Sequence, residues 1–249
     1  MTLNFLIAPN FSPERFAGWH MLNTLLQRRS GIKLHLLTPA NSQEQAGLLA
    51  GGNVDLVYAN PFDAADMIRR QGYVPFAKPS GRFDEMVIAT GLQSGLQKLE
   101  DIQPGSRIAL TDNKDVKLIG LRLLEPADLD ESMIEWVAVD SFQAAARLTL
   151  KGDVKAGFFL AEAYASLTRM TRSQLLVLVE SRISDISHVV LASARISGEL
   201  PRISQALLGI GSQPADGDVL DALGIPKGFE SMTQEDAEFM IDLMDTLLD

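Results

Sequence analysis

The chain has 249 residues, 46% of them hydrophobic, a formal net charge of −10 and no cysteine. That is enough apolar sequence for two ordinary lobes or one large domain, while the acidic balance and the lack of any Lys and Arg cluster exclude a phosphate-reading nucleic-acid surface. The missing cysteines remove disulfides, thiolate nucleophiles and zinc–cysteine sites together, and His20, His35 and His188 form no HxH or HxxxH pair that would hold a metal.

The segment "LNFLIAP" (3–9) predicts a buried first strand. Ser12-Pro13-Glu14 then opens a helix, with serine as N-cap and proline at the first helical position, and Phe16, Trp19, Leu22 and Leu26 form its apolar stripe. "IKLHLLTP" is a second strand. "NSQEQAGLLAGG" is a short helix with a capping box from Ser42 to Gln45, closed at Gly51-Gly52. "VDLVYANP" is a third strand running into the helix "PFDAADMIRRQG", and "YVPFAKP" and "FDEMVIATG" are further strands. The pairs Arg28-Arg29 and Arg69-Arg70 fall near helix ends, where cations complement the dipole.

Near residue 85 the pattern starts again. "RIALTD", "IEWVAVD", "KAGFFLA" and "QLLVLVE" read as strands, alternating with the helices "KDVKLIGLRLL", "SFQAAARLTLKGD" and "EAYASLTRM". After a returning strand in "SDISHVVLAS" (184–193) the chain is mostly helical, ending in a helix capped at Thr233 with Met240, Met244, Leu247 and Leu248 on one face. This alternation predicts an α/β protein with mainly parallel sheets, in two lobes of residues 1–84 plus 190–249 and 85–189. Lobes joined by crossing strands would enclose a cleft and close on a ligand about a hinge.

No apolar run approaches the roughly 20 residues of a bilayer-spanning helix, so membrane insertion is not expected. "MTLNFLIAPNFSPERF" lacks the basic start and long apolar stretch of a signal peptide. The expectation is a cytoplasmic protein as written, or a periplasmic one if Met1 replaces a removed signal. GxSxG, GxxxxGK[ST], HExxH and GxGxxG are all missing, so neither an enzyme nor a cofactor is expected.

The most informative corner is "LTDNKDVKLIGLRLL" (110–124), where a strand end meets a helix start. Helix N-termini favour anions, yet Asp112 and Asp115 stand here. Two like charges roughly 4 Å apart at an effective dielectric near 20 repel by about 4 kcal/mol, against about 8 kcal/mol for a whole micromolar affinity. Either Asp112 or Asp115 caps the helix and Lys114 points to solvent, or the corner meets a cationic, zwitterionic or neutral polar ligand. Loops at the carboxyl ends of parallel strands add Asn10, Phe11 and Ser12, then Asn41 and Ser42, then Tyr58, Asn60 and Pro61. Ser12 and Ser42 serve first as caps, Trp19 and Phe16 belong to the core, and His188 is either a structural histidine or a cleft residue.

The ordered series "GIKLHLLTPANSQEQAGLLAGGNVDLVYANP", "FDEMVIATGLQSGLQKLEDIQPGSRIALTD", "LKGDVKAGFFLAEAY" and "LGIPKGFESMTQEDAEF" resembles the phosphonate/phosphate/phosphite solute-binding proteins of ABC transporters. The resemblance implies a type II periplasmic-binding-protein fold: two α/β lobes, two crossover strands and a ligand in the cleft. It also implies where the pocket differs. The family's hydroxyl-rich run at the second-lobe helix start falls on Lys114, Asp115 and Val116, and its crossover-strand tyrosine on Phe83. A family tyrosine falls near Ser42 and Gln43, and a histidine at about Phe142. Among the acids near the ligand's amino end, Glu162 matches one position and Asp185 lies within a residue of another. The resulting ligand-binding set is Asn10, Ser12, Ser42, Tyr58, Asn60, Phe83, Asn113, Lys114, Asp115, Glu162 and Asp185. The expected function is non-enzymatic binding of a small polar or oxyanion-like ligand for ABC-type uptake or sensing, with an ABC permease or a sensor protein as partner and with altered specificity. The alternative is a regulatory or interaction module that kept the fold and lost the pocket.

Overall fold

The computed structural model describes residues 2–9, 11 and 13–246. The expected contacts at Asn10 and Ser12, and the Leu247 and Leu248 end of the last apolar face, lie outside them. The chain forms two compact units, Met1–Phe83 with Asp185–Met244, and Asp84–Ser184 with Asp245–Asp249.

The first unit begins with β1 (Thr2–Ile7), α1 (Phe16–Ser30), β2 (Lys33–Leu37), α2 (Ser42–Ala50), β3 (Leu56–Ala59), α3 (Pro61–Gln71) and β4 (Tyr73–Pro79). β1 lies between β2 and β3, parallel to both, with Phe5 opposite Leu36 and Leu56. Its unbroken apolar run fits a strand covered on both faces. A one-turn 3-10 helix, Pro13–Arg15, delays the start of α1. Arg15 occupies its N-cap position without a side-chain capping bond, its guanidinium donating instead to the Asp221 carbonyl at 3.1 Å. The stripe is correspondingly shifted: Trp19, Leu22 and Leu26 are buried, but Phe16 is 46% exposed, its ring edge-on to His20, and so is not core as expected.

The second unit follows as β5 (Met86–Gly91), β6 (Arg107–Leu110), α4 (Lys114–Leu124), β7 (Glu135–Ala138), α5 (Phe142–Lys151), β8 (Ala156–Leu160), α6 (Ala161–Ser166), α7 (Arg169–Arg172) and β9 (Leu175–Glu180). Its sheet runs β7-β6-β8-β5-β9. Alternate residues of β5 serve opposite faces: Met86 and Ile88 pack with Ile108 and Phe158, while Val87 and Ala89 pack with Ala109 and Phe159.

The chain then returns as β10 (Val189–Ser193), α8 (Leu200–Leu208), α9 (Gly217–Leu223), β11 (Phe229–Ser231) and α10 (Gln234–Thr246), giving a first sheet ordered β11-β4-β10-β3-β1-β2. Both sheets are mixed rather than mainly parallel. β10 runs antiparallel to β3 and β4, and β5 antiparallel to β8 and β9. Burial periodicity reports which strands are covered, not which way they run. The last helix has the expected cap: Thr233 Oγ1 accepts from the Asp236 N–H at 3.1 Å, and Asp236 accepts from the Thr233 N–H at 2.8 Å.

α1 crosses α9 so closely that a Cβ on Gly18 would sit 2.7 Å from the Ala222 carbonyl. Gly18→Ala should therefore destabilise by about 1–3 kcal/mol through overpacking. Gly47, in α2, has open space around its missing Cβ, and Gly47→Ala should stabilise by up to about 1 kcal/mol through helix propensity. Opposite shifts in the thermal midpoint are expected, and shifts of the same sign would contradict this packing.

Candidate functional site

In the second unit β6, β7 and β8 run parallel, with Leu110 opposite Ala138 and Ala109 opposite Gly157. Their carboxyl ends, and the helices α4, α5 and α6 that follow, therefore line one edge of the sheet. At the α4 corner Asn113, buried, accepts from the Val116 N–H through Oδ1 at 2.9 Å. Asn113 is thus the cap expected of Asp112 or Asp115. Asp112 is exposed and stands one residue before the position from which a side chain reaches the third helical N–H. Lys114 is exposed, while Asp115 is only 5% exposed in the first turn. A carboxylate there already occupies the positive end of the helix dipole. The Thr111 hydroxyl, just before the cap, is buried without a hydrogen-bond partner.

The neighbouring corners are simpler. Ser141 caps α5 by accepting from the Ala144 N–H at 3.1 Å, and half-buried Phe142 is the first helical residue. Glu162 is half-buried in the first turn of α6. Trp136, on β7, stands edge-on to Phe158 with the Lys117 ammonium 5.6 Å from its ring centre.

In the first unit the carboxyl ends of β1, β2 and β3 again share one edge, with Ile7 opposite Tyr58 and Leu6 opposite Leu37. Tyr58 stacks on His188, centroids 4.9 Å apart at 21°, and packs against Trp19, which in turn meets Phe11. The antiparallel register Val189↔Ala59 brings His188 to this edge. Asn60 caps α3: its Oδ1 accepts from the Asp63 N–H at 2.8 Å while its Nδ2 donates to Asp63 Oδ2 at 2.9 Å. Gln45 Nε2 donates to the same carboxylate oxygen at 2.6 Å, leaving its own Oε1 buried and unpartnered.

Ser42 is not the α2 cap. Asn41 accepts from the Glu44 N–H at 2.9 Å, and Glu44 accepts from the Ala40 N–H at 2.7 Å, so the capping box starts one residue earlier than expected. Ser42 is the half-buried first helical residue. Phe83, 38% exposed, and Asp185 are exposed, and neither makes a hydrogen bond or ring contact among the described residues. The structure thus joins Tyr58 to His188 and gathers Asn113, Lys114, Asp115 and Glu162 on one edge. The Asn60–Asp63–Gln45 network was not anticipated, although the three-residue spacing in "NPFD" is a capping-box signal. Among the described residues no group of His, Asp and Glu could hold a metal ion.

Over residues 5–237 the sequence matches the family described as ABC transporter, phosphonate, periplasmic substrate-binding protein. The chain belongs to that family. It is a solute-binding protein and not an enzyme, and the family binds small ligands such as phosphonate and delivers them to an ABC transporter. Among curated proteins none matches the sequence. Solved structures resemble this phosphonate-family chain closely in fold. PhnD1 from Prochlorococcus marinus, in complex with methylphosphonate, shares 13% identity at a TM-score of 0.83, over 99% of this chain and 98% of that one. A binding protein component of the ABC phosphonate transporter from Pseudomonas aeruginosa shares 16% at 0.79, over 100% and 89%. The periplasmic aliphatic sulphonate binding protein SsuA from Escherichia coli shares 16% at 0.67, over 99% and 86%. The expected type II periplasmic-binding-protein fold is the fold of this chain. No helix among the described residues is long and apolar enough to cross a membrane.

The cap assignment is directly testable. Asn113→Ala should cost about 1 kcal/mol, a fall of roughly 2–4 °C in the thermal midpoint, while Asp112→Ala should leave it nearly unchanged. A larger loss at Asp112 would restore the carboxylate as cap.

Proposed function

We propose that this family member takes a small ligand that is cationic, zwitterionic or neutral and polar, in place of a phosphonate dianion, and delivers it to an ABC permease. The observation that carries this reading is Asp115, buried in the first turn of α4, on the positions where the family's resemblance implies oxyanion-holding hydroxyls. Its neighbours support it. α2 carries Glu44, α3 carries Asp63 and α6 carries Glu162 in their first turns, so the chain's own carboxylates already occupy these helix dipoles. Only α5, among the helices that follow parallel strands in the second unit, has no acid in its first turn. A bound anion near Asp115 would meet about 4 kcal/mol of repulsion at roughly 4 Å, while an ammonium at the same place gains by a comparable amount.

In this reading Asp115 and Glu162 receive the ligand's positive or hydrogen-bond-donating end. Asn113 holds the first turn of α4 in place, and Lys114 stands exposed beside it. In the first unit, taken by itself, half-buried His188 is backed by the buried Tyr58 ring stacked on it. Asn60 has one amide hydrogen left after serving Asp63.

Thermal-shift titration compares methylphosphonate and phosphite with small amines and amino acids. An amine or amino acid at 100-fold excess over its dissociation constant should stabilise the protein by about 2.7 kcal/mol, and methylphosphonate should give little shift. Asp115→Ser should then bind methylphosphonate about tenfold or more tightly than the parent, a gain of at least about 1.4 kcal/mol. A parent chain stabilised by methylphosphonate as strongly as by any amine, or an Asp115→Ser chain with no gain, would overturn the charge argument.

A further inference from the structure

The first unit also carries an open groove of about 590 Å³ on the outer side of α1, away from the sheet. α1 buries Trp19, Leu22 and Leu26 against the core. His20, Thr24 and Arg28, spaced by four residues, form one row along the other side. The floor is apolar, made by Leu25 and Val219, each 8% exposed. The opposite wall comes from the turn before α9, with Gln213, Ala215 and Asp216.

That wall is held rigidly. Arg29 donates through Nη2 to Asp216 at 2.6 Å and through Nη1 to the Gly209 carbonyl at 3.0 Å. Asp216 is 2% exposed, and its second oxygen accepts the N–H groups of Gly211 at 2.8 Å and Gln213 at 3.2 Å. Burial pushes the Asp216 carboxyl up, but these two N–H groups and Arg29 outweigh it and hold the group below the usual carboxylate range. The acid of the groove is thus fully neutralised from within. Arg28, one residue before Arg29, makes no hydrogen bond or ion pair among the described residues. An uncommitted guanidinium therefore stands at the mouth of an apolar trough, in a chain whose net charge is −10.

We infer that this groove is a second binding site, separate from the strand edges, for a small organic monoanion: a carboxylate with an apolar tail. The planar guanidinium of Arg28 matches a carboxylate with two parallel hydrogen bonds. The tail lies over Met21, Leu25, Ala215 and Val219, where it removes apolar area from water. The cavity volume falls in the range of small-molecule sites, roughly 300–1,000 Å³. A single unpaired cation suits one negative charge better than two, and the acidic surface elsewhere disfavours a multiply charged ligand.

Isothermal titration of the full chain with octanoate, octanol and octylamine tests this. Octanoate should bind, and octanol and octylamine should bind at least about tenfold more weakly. Arg28→Gln, at an exposed position that leaves the fold intact, should weaken octanoate by about tenfold or more. Ala215→Trp, which fills the trough from an exposed position, should abolish binding. Octanoate that fails to bind at millimolar concentration, or that binds Arg28→Gln or Ala215→Trp as well as the parent, would overturn the assignment.

Discussion

A helix that starts at the carboxyl end of a parallel strand points unpaired N–H groups and the positive end of its dipole along that edge. Something must meet them, and in this chain the answer is mostly internal. Asn41 with Glu44, Asn60 with Asp63, and Asn113 with Asp115 nearby supply carboxamides and carboxylates from the first turns themselves. The same groups that stabilise the helix starts therefore set the charge along the carboxyl-end edges of the parallel strands. On the function proposed above, stability of the corners and choice of ligand rest on one set of residues.

On that proposal the scaffold can persist while specificity changes. β6, β7 and β8, with cores of Ile108, Phe158 and Phe159, depend on apolar packing that is indifferent to what stands at Asp115. A substitution in the first turn of α4 alters the local field by several kcal/mol at short range without touching the sheet. The fold shared with phosphonate- and sulphonate-binding proteins at 13–16% identity is in keeping with this division.

Strand and helix order was legible because buried strands and amphipathic helices have different periods. Strand direction was not, since β10 lies antiparallel to β3 for topological reasons that leave no mark on "HVVLAS". β11, only three residues long, is too short to show a period. The caps were misplaced by single positions: Asn41 and Ser42 are both good caps, and only the Glu44 carboxylate, three residues after Asn41, decides between them. At 112–115 three candidate side chains crowd one corner, and geometry alone selects Asn113. The pairing of Tyr58 with His188 joins residues distant in sequence and follows from sheet register, not from any local motif.

The chain's two tryptophans fall one in each compact unit, Trp19 in the first and Trp136 in the second. Trp19 is almost fully enclosed by Tyr58 and the core, whereas Trp136 is half-buried beside a lysine ammonium. Their surroundings differ in burial and in the charge nearby, so a Trp→Phe substitution at one leaves the other as the sole indole reporter. Each unit thus carries its own optical label, one indole apiece.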